Sequence, residues 1–215
     1  MTGVGDTRRL VIAAIVLLVT ALLAARDRLL LGEAALVGAV NGSPVLDVFP
    51  IKPLLLAVMG FGTLVGVAVV AIAVALLVKP WRPAVGVIAA GVLGWLAART
   101  LKQVVDRGRP LEFLDARTLD LSGGYASITG AGYPSGHTTV AFAVATTLVP
   151  WLPVRFRWVP WAVATLVAVA RVYVAAHFPL DVIGGAALGM LVGALVNWAI
   201  GAPTDEAVDP AATAD

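Results

Sequence analysis

The amino-acid sequence predicts an all-α, polytopic membrane protein, and three observations support that class. Of its 215 residues, 60% are hydrophobic and 13% are charged, whereas a soluble domain carries about 25% charged residues. The mean hydropathy is +0.96. Six apolar stretches approach the roughly 20 residues that a helix needs to cross a membrane; they lie at 10–25, 53–78, 84–105, 136–150, 159–177 and 180–200.

The first stretch follows Arg8 and Arg9 and reads LVIAAIVLLVTALLAA. A short apolar run behind basic residues is also typical of a secretory signal peptide. Because five further apolar stretches follow, a retained membrane anchor is favoured. Residues 29–40, LLLGEAALVGAV, contain Glu33 and are too short to span. They predict an interfacial or partly re-entrant helix.

The links between the stretches predict the orientation in the membrane. The short links at 79–83 and 150–158 each carry two basic residues, and Arg8 and Arg9 precede the first stretch. Cytoplasmic loops are enriched in Lys and Arg. We therefore expect a multi-pass protein of the plasma membrane with both termini in the cytoplasm. The longer links at 26–52 and 106–134 then lie outside, although they also carry basic residues.

The chain is predicted to form one membrane domain over residues 10–200, between a cytoplasmic segment at 1–9 and an acidic, disordered tail at 201–215. The sixth stretch has glycines at four-residue spacing, which let another helix approach closely. That helix belongs either to the same bundle, the default, or to a second copy in a homodimer. The glycines are Gly185, Gly189 and Gly193.

Composition excludes several classes of function. The formal net charge is +2 and no long basic run occurs, so nucleic acid is not an expected partner. The absence of cysteine excludes disulfides, zinc–thiolate sites and cysteine nucleophiles.

Polar residues collect at the ends of the apolar stretches that are predicted to face outside. The ends of the third and fifth stretches and the starts of the fourth and sixth share that side. They carry three cations, both of the chain's histidines, a serine and a carboxylate: Lys102, Arg109, Ser135, His137, Arg171, His177 and Asp181.

These groups indicate chemistry on a phosphate. Three cations favour an anion of high charge density, which arginine binds through two parallel hydrogen bonds. Ser135 is expected to cap the fourth helix, and Gly136 lets the backbone approach a ligand at that helix N-terminus.

The two histidines can divide the work of phosphoryl transfer. A neutral imidazole can attack phosphorus, and a protonated one can give its proton to the leaving oxygen. Pro179 is expected to end the fifth helix near His177, so that Asp181 can accept a hydrogen bond from its ring and orient it. His177 is therefore the better nucleophile and His137 the better acid.

Each of these residues alone has a plainer explanation. Lys and Arg near span ends often only extend to the interface, and Asp181 can simply cap the last helix. The coincidence of all of them at one face favours a site. On an ideal helix Arg171 and His177 lie roughly 120° apart, so they share a ligand only if the site wraps around the helix end.

Three more charged residues near the cluster have open roles. Arg99 either lines the same cavity or pairs with an acid. Asp106 and Arg107 either shape a phosphate-binding loop or are solvated.

The pattern resembles the type 2 phosphatidic acid phosphatase (PAP2) superfamily. Its three signatures look like KQVVDRGRP at 102–110, PSGH at 134–137 and RVYVAAHFPLD at 171–181, in order and with matching spacings. One departure is Ala170, where the family often has serine, and we expect this change to affect affinity rather than activity.

The resemblance implies a PAP2/haloperoxidase-like helical core and a metal-independent phosphatase with no cofactor. It implies that the phosphate is held by Lys102, Arg109, Ser135, Gly136 and Arg171. It also implies His177 as nucleophile, His137 as acid and Asp181 as the orienting partner of His177. A soluble haloperoxidase role does not fit a membrane-embedded chain.

The leading hypothesis is a lipid phosphatase that forms a phosphohistidine and acts on a lipid of the outer leaflet. A polyprenyl phosphate or diphosphate is favoured by analogy with carrier-lipid recycling, and phosphatidylglycerophosphate and phosphatidic acid are the alternatives. An anion or lipid transporter is a different class, but the charges lie at one face rather than along a path. An inactive lipid-binding protein is a third class, and the complete set of chemical groups argues against it.

Overall fold

The computed structural model describes residues 4–26, 28–41, 43–48, 50–121 and 130–203. Within these residues it is helical and has no strand, which confirms the all-α prediction. The acidic stretch from residue 204 onwards lies outside the described residues. The α-helices are α1 (Val4–Ala24), α2 (Glu33–Asn41), α3 (Ile51–Val58), α4 (Leu64–Leu77), α5 (Arg82–Val104), α6 (Pro110–Phe113), α7 (Gly136–Leu148), α8 (Trp158–Tyr173) and α9 (Pro179–Ile200).

Three helices, α1, α5 and α9, are each long and apolar enough to cross a membrane. Helices α3 and α4, with the 3₁₀ turn at Met59–Gly62 between them, pass the same test together but are bent by 81°. Helices α7 and α8 have 13 and 16 residues, which falls short of a full crossing at about 1.5 Å per residue. The structure thus has three or four candidate spans, and the prediction of six is not confirmed.

The bend has a local cause in the sequence. Thr63 has an extended backbone, and its side chain accepts a hydrogen bond from the Gly66 amide at 3.0 Å. A threonine in this role starts a new helix rather than continuing the old one. The predicted span at 53–78 is therefore two helices that meet at an angle.

Helix α7 forms the centre of the bundle and packs against α5, α8 and α9. The glycine stripe of α9 lies on this contact. A Cβ at Gly185 would lie 2.7 Å from the Ser135 carbonyl oxygen, and a Cβ at Gly193 would lie 2.6 Å from the Ala143 carbonyl oxygen. The stripe therefore packs inside the bundle, and it is not exposed to a second copy of the chain.

Two buried contacts tie the peripheral helices to one end of this bundle. The Tyr133 hydroxyl lies 2.8 Å from the Thr20 hydroxyl of α1, and its ring packs against Gly184 of α9. Asn41, the last residue of α2, donates to the Tyr173 carbonyl oxygen at 2.7 Å. Helix α2 therefore lies over the end of α8, in agreement with the prediction that 29–40 does not span.

Two boundaries differ from the predictions. Helix α1 begins at Val4, so Arg8 and Arg9 lie within it rather than before it. Pro179 begins α9, whereas α8 has already ended at Tyr173. Proline suits the first turn of a helix because its missing N–H would have no partner there.

Candidate active site

Lys102 and Arg109, the first two cations of the cluster along the chain, both bond to one loop, residues 130–132. Lys102, at the end of α5, donates to the carbonyl oxygens of Ala131 and Gly132 at 2.6 and 3.0 Å. Arg109 donates from Nε to the Gly130 carbonyl oxygen at 2.9 Å. Because both side chains bond to the same loop, their charges lie side by side despite the helix end between them.

Arg109 also reaches the third signature. Its Nη1 atom donates to the Ala176 carbonyl oxygen at 3.0 Å, immediately before His177 in the chain. Arg109 itself is buried. The first and third signatures are therefore in direct contact.

Ser135 occupies the N-cap position of α7, but its side chain does not make the expected capping bond. Its hydroxyl instead accepts a hydrogen bond from Thr138 Oγ1 at 3.0 Å, and its backbone N–H donates to the Asp181 carbonyl oxygen at 2.9 Å. A Cβ built on Gly136 would meet no atom within 4 Å. The start of α7 thus has open space beside its backbone, as a ligand site at a helix N-terminus requires.

The end of α8 separates Arg171 from His177. Ala175 has φ of 51°, in the left-handed region, and donates to the Val172 carbonyl oxygen, while Ala176 donates to the Arg171 carbonyl oxygen. These two bonds form the Schellman motif that closes many helices. His177 lies beyond this turn, so the separation of about 120° that an ideal helix predicts does not apply.

The 3₁₀ turn at Met59–Gly62 supports this end of the bundle from the side. The Met59 sulfur accepts a hydrogen bond from Arg171 Nη1 at 3.6 Å. A Cβ on Gly62 would lie 2.7 Å from the Cβ atom of His137. The bend between α3 and α4 therefore contacts both an arginine and a histidine of the predicted cluster.

Asp181 faces His177 from the first turn of α9. Its Oδ2 atom accepts the Phe178 N–H at 2.9 Å and lies 3.5 Å from His177 Nδ1. That longer separation does not qualify as a hydrogen bond, and Nδ1 has no hydrogen-bond partner among the described residues. In free enzymes such catalytic contacts are often long and tighten on binding.

The surroundings of His177 favour the neutral form that nucleophilic attack requires. Its side chain is buried, and burial lowers its pKa well below the ordinary 6.5. The positive charges of Arg171, Lys102 and Arg109 lower this pKa further.

Sequence reasoning missed an ion network behind this imidazole. Arg107, left open between a loop role and solvation, is buried and donates to Asp181 Oδ1 at 2.8 Å and to the Glu33 carboxylate. The sequence did indicate a buried partner for Glu33, because a lone acid in an apolar stretch needs one. Asp106 is exposed, and Arg99 is exposed and lies over the Trp95 ring at 5.4 Å, outside the cluster.

An apolar cleft continues from the His137 side of α7. Ala141 lies one turn below His137, and the cleft of about 180 Å³ follows the same stripe of α7 between α4 and α8. Its lining has almost no polar surface and includes Phe61, Val67, Val144, Leu148 and Val163. The cleft thus begins one helical turn from His137 and is apolar enough to suit a hydrocarbon chain.

Among the described residues, no three His, Asp or Glu side chains are grouped as a metal site would require. The cluster is instead rich in fixed cations, which repel a metal ion and attract an anion.

Comparisons with known proteins agree with these features. The family model of the PAP2 superfamily matches residues 79–204, more than half of the chain. The crystal structure of Aquifex aeolicus LpxE superposes with a TM-score of 0.64 at 25% identity, covering 76% of this chain and 93% of that one.

Two curated relatives match shorter segments. The lipid A 4'-phosphatase of Porphyromonas gingivalis is 37% identical over 67 residues, 30% of this chain and 28% of that protein. The undecaprenyl-diphosphatase of Sulfolobus acidocaldarius is 41% identical over 68 residues, 31% of this chain and 32% of that protein. The matched segments thus span less than a third of the length of either of these two relatives.

Proposed function

This chain belongs to the PAP2 superfamily, and from that premise we propose that it is a membrane lipid phosphatase. The observation that carries the proposal is a set of contacts around the buried His177. Lys102 and Arg109 bond to the same loop, 130–132, and Arg109 also donates to the Ala176 carbonyl oxygen next to His177. The Arg171 carbonyl oxygen accepts the Ala176 N–H, so the third cation lies one turn away. Such a site binds a phosphate and stabilises the charge that spreads over its oxygens during transfer.

The proposed mechanism has two displacements at phosphorus. The neutral His177 attacks the phosphorus, and the bond from phosphorus to the leaving oxygen breaks as His137 gives that oxygen a proton. Water then attacks the phosphohistidine while His137 takes its proton, which releases phosphate and restores His177. Asp181 orients the His177 ring, and no metal takes part.

The proposed phosphate ligands lie on four elements. Lys102 is in the last turn of α5, Arg109 precedes α6, and Arg171 is in the last turn of α8. Ser135 and Gly136 contribute the start of α7, where the backbone has open space beside it. Because several elements contribute, a phosphate bound there would hold them together.

A polyprenyl diphosphate is the first candidate substrate. The relative from Sulfolobus acidocaldarius named an undecaprenyl-diphosphatase supports it, as does the cleft beside His137, which would take the first carbons of the chain. A phosphorylated glycolipid is the second candidate, supported by the relative named a lipid A 4'-phosphatase. Phosphatidylglycerophosphate and phosphatidic acid share the same chemistry, a phosphate on an apolar anchor.

The first prediction concerns the nucleophile. His177→Ala should lower phosphate release by at least about 1,000-fold, because it removes the attacking atom. Arg99→Gln, an exposed cation at the same end of α5 as Lys102, should stay near the wild-type rate. Malachite-green detection of phosphate across polyprenyl diphosphate, lipid A, phosphatidylglycerophosphate and phosphatidic acid measures both variants. Wild-type activity in a folded His177→Ala variant would contradict the mechanism.

The second prediction concerns metals. Excess EDTA should leave the rate of phosphate release unchanged within assay error, because cations of the chain neutralise the phosphate charge. The rate is measured before and after dialysis against the chelator. A rate that falls with EDTA and returns with added Mg²⁺ or Zn²⁺ would show that a metal takes part.

The third prediction concerns topology. We propose six crossings, with both termini in the cytoplasm and the phosphate site facing outwards. Helices α7 and α8 then cross with the help of the 3₁₀ turns Val149–Trp151 and Val154–Phe156 between them. The chain lacks cysteine, so single cysteines at the exposed positions Arg117 and Arg155 report on opposite sides of α7. In intact cells an impermeant maleimide should label the Arg117→Cys variant only. Equal labelling of both variants would contradict this arrangement.

A further inference from the structure

The buried ion network behind Asp181 has no role in the mechanism above, which uses only the contact of Asp181 with His177. It joins Glu33 of α2, Arg107 of the link after α5 and Asp181 of α9. All three side chains are at most 6% exposed. Charges are rarely buried this fully inside a membrane chain unless they are paired and used.

The contacts assign a different task to each oxygen of Asp181. Oδ1 accepts a hydrogen bond from Arg107 Nη1 at 2.8 Å. Oδ2 accepts the Phe178 N–H and faces His177 Nδ1. Because Arg107 occupies one oxygen, the carboxylate cannot rotate without losing that bond, and the other oxygen stays directed at the imidazole.

Glu33 in turn holds Arg107 in place. One of its oxygens pairs with Arg107 Nη2 and accepts the Leu30 N–H at 2.9 Å, and the other accepts the Leu180 N–H at 3.2 Å. Glu33 therefore bonds both to Arg107 and to the backbone next to Asp181. The guanidinium is also confined by the Phe178 ring, 5.0 Å from its carbon Cζ.

The charges of the network have a consequence for the phosphate site. Without Glu33, Arg107 and Asp181 would form a neutral pair, and no net negative charge would face the imidazole. With Glu33 present, the network carries one positive and two negative charges, and its remaining negative charge faces the imidazole. A net negative group behind a histidine stabilises the cation that forms on its ring.

We propose that Glu33 and Arg107 are positioning residues, which act on His177 through Asp181 and complete the site from the short helix α2. The proposal rests on the proposed phosphatase function. A purely structural ion pair that only attaches α2 to the bundle is the opposing explanation. The two explanations differ in what happens to the His177 ring when Glu33 loses its charge.

The kinetic test uses Glu33→Gln, which keeps the shape of Glu33 but removes its charge and replaces one of its two acceptor oxygens with an NH2 donor. We expect kcat to fall roughly 10- to 100-fold, as it does when outer partners of catalytic ligands are removed, with KM unchanged because the phosphate-binding cations keep their places. Asp115→Asn, an exposed carboxylate bonded only locally to the Arg117 N–H, is the matched control and should keep the wild-type kcat. A wild-type kcat in folded Glu33→Gln would overturn the proposal.

A double-mutant cycle separates the two explanations. If Glu33 acts through Asp181, then Glu33→Gln should cause no further loss of kcat in an Asp181→Asn background. Losses of kcat that add in full would show that Glu33 acts independently of Asp181, and would overturn the proposal.

A spectroscopic test does not depend on activity. Nitrogen NMR of ¹⁵N-histidine protein reports which ring nitrogen carries the proton, and the chain has two histidines to assign. In the wild type we expect the proton of His177 on Nδ1, facing Asp181, and in Glu33→Gln a spectrum shifted towards that of Asp181→Asn. An unchanged His177 signal would overturn the proposal.

Two other results, a Glu33→Gln variant that does not fold and a wild type without activity, can also be interpreted. If Glu33→Gln does not fold, Arg107→Lys, which keeps the charge but loses the second bond, takes its place in the same NMR test with the same expected shift. If the wild type releases phosphate from no lipid of the panel, the proposed function fails, while the His177 signal still decides whether the network orients the ring.

Discussion

One buried carboxylate, Asp181, connects the separate parts of this molecule. Its side chain contacts Arg107, the Phe178 N–H and His177, and its carbonyl oxygen accepts the Ser135 N–H. The starts of α7 and α9, the link after α5 and, through Glu33, helix α2 therefore meet at one residue. Removing one partner of a buried ion pair typically lowers the stability of a protein by about 3–5 kcal/mol. Asp181 and its charged partners therefore tolerate few substitutions.

The cations at the charged end of the bundle are held by contacts within the chain. Three cations at one face repel one another, and each is held by neighbouring groups of the chain. Carbonyl oxygens of the loop 130–132 accept hydrogen bonds from Lys102 and Arg109. The sulfur of Met59 accepts one from Arg171. An incoming phosphate can exchange these weaker contacts for stronger, charge-assisted ones. Under the proposed function, this arrangement gathers the phosphate donors at one end of the bundle, and such preorganisation favours fast chemistry.

The all-α class could be predicted from hydropathy. The residues that meet at one end of the bundle could be listed from the sequence, because they stand at the ends of apolar stretches. The geometry could not. Ala175 ends α8 in a left-handed turn that glycine usually occupies, and Thr63 divides one apolar stretch into two helices. Arg107 resembles a solvated loop residue beside exposed Asp106, and its burial becomes apparent only when α2 brings Glu33 to it, across more than 70 residues of sequence.

The central claim is that His177 carries the phosphoryl group during turnover. A direct test lets the protein react with a lipid whose terminal phosphate is labelled and stops the reaction rapidly without acid. Mass spectrometry of the peptides then locates the label. The account predicts a phosphorylated peptide that contains His177 and appears before free phosphate accumulates. Phosphate release at the full rate with no label on His177, or with label on His137, would contradict it.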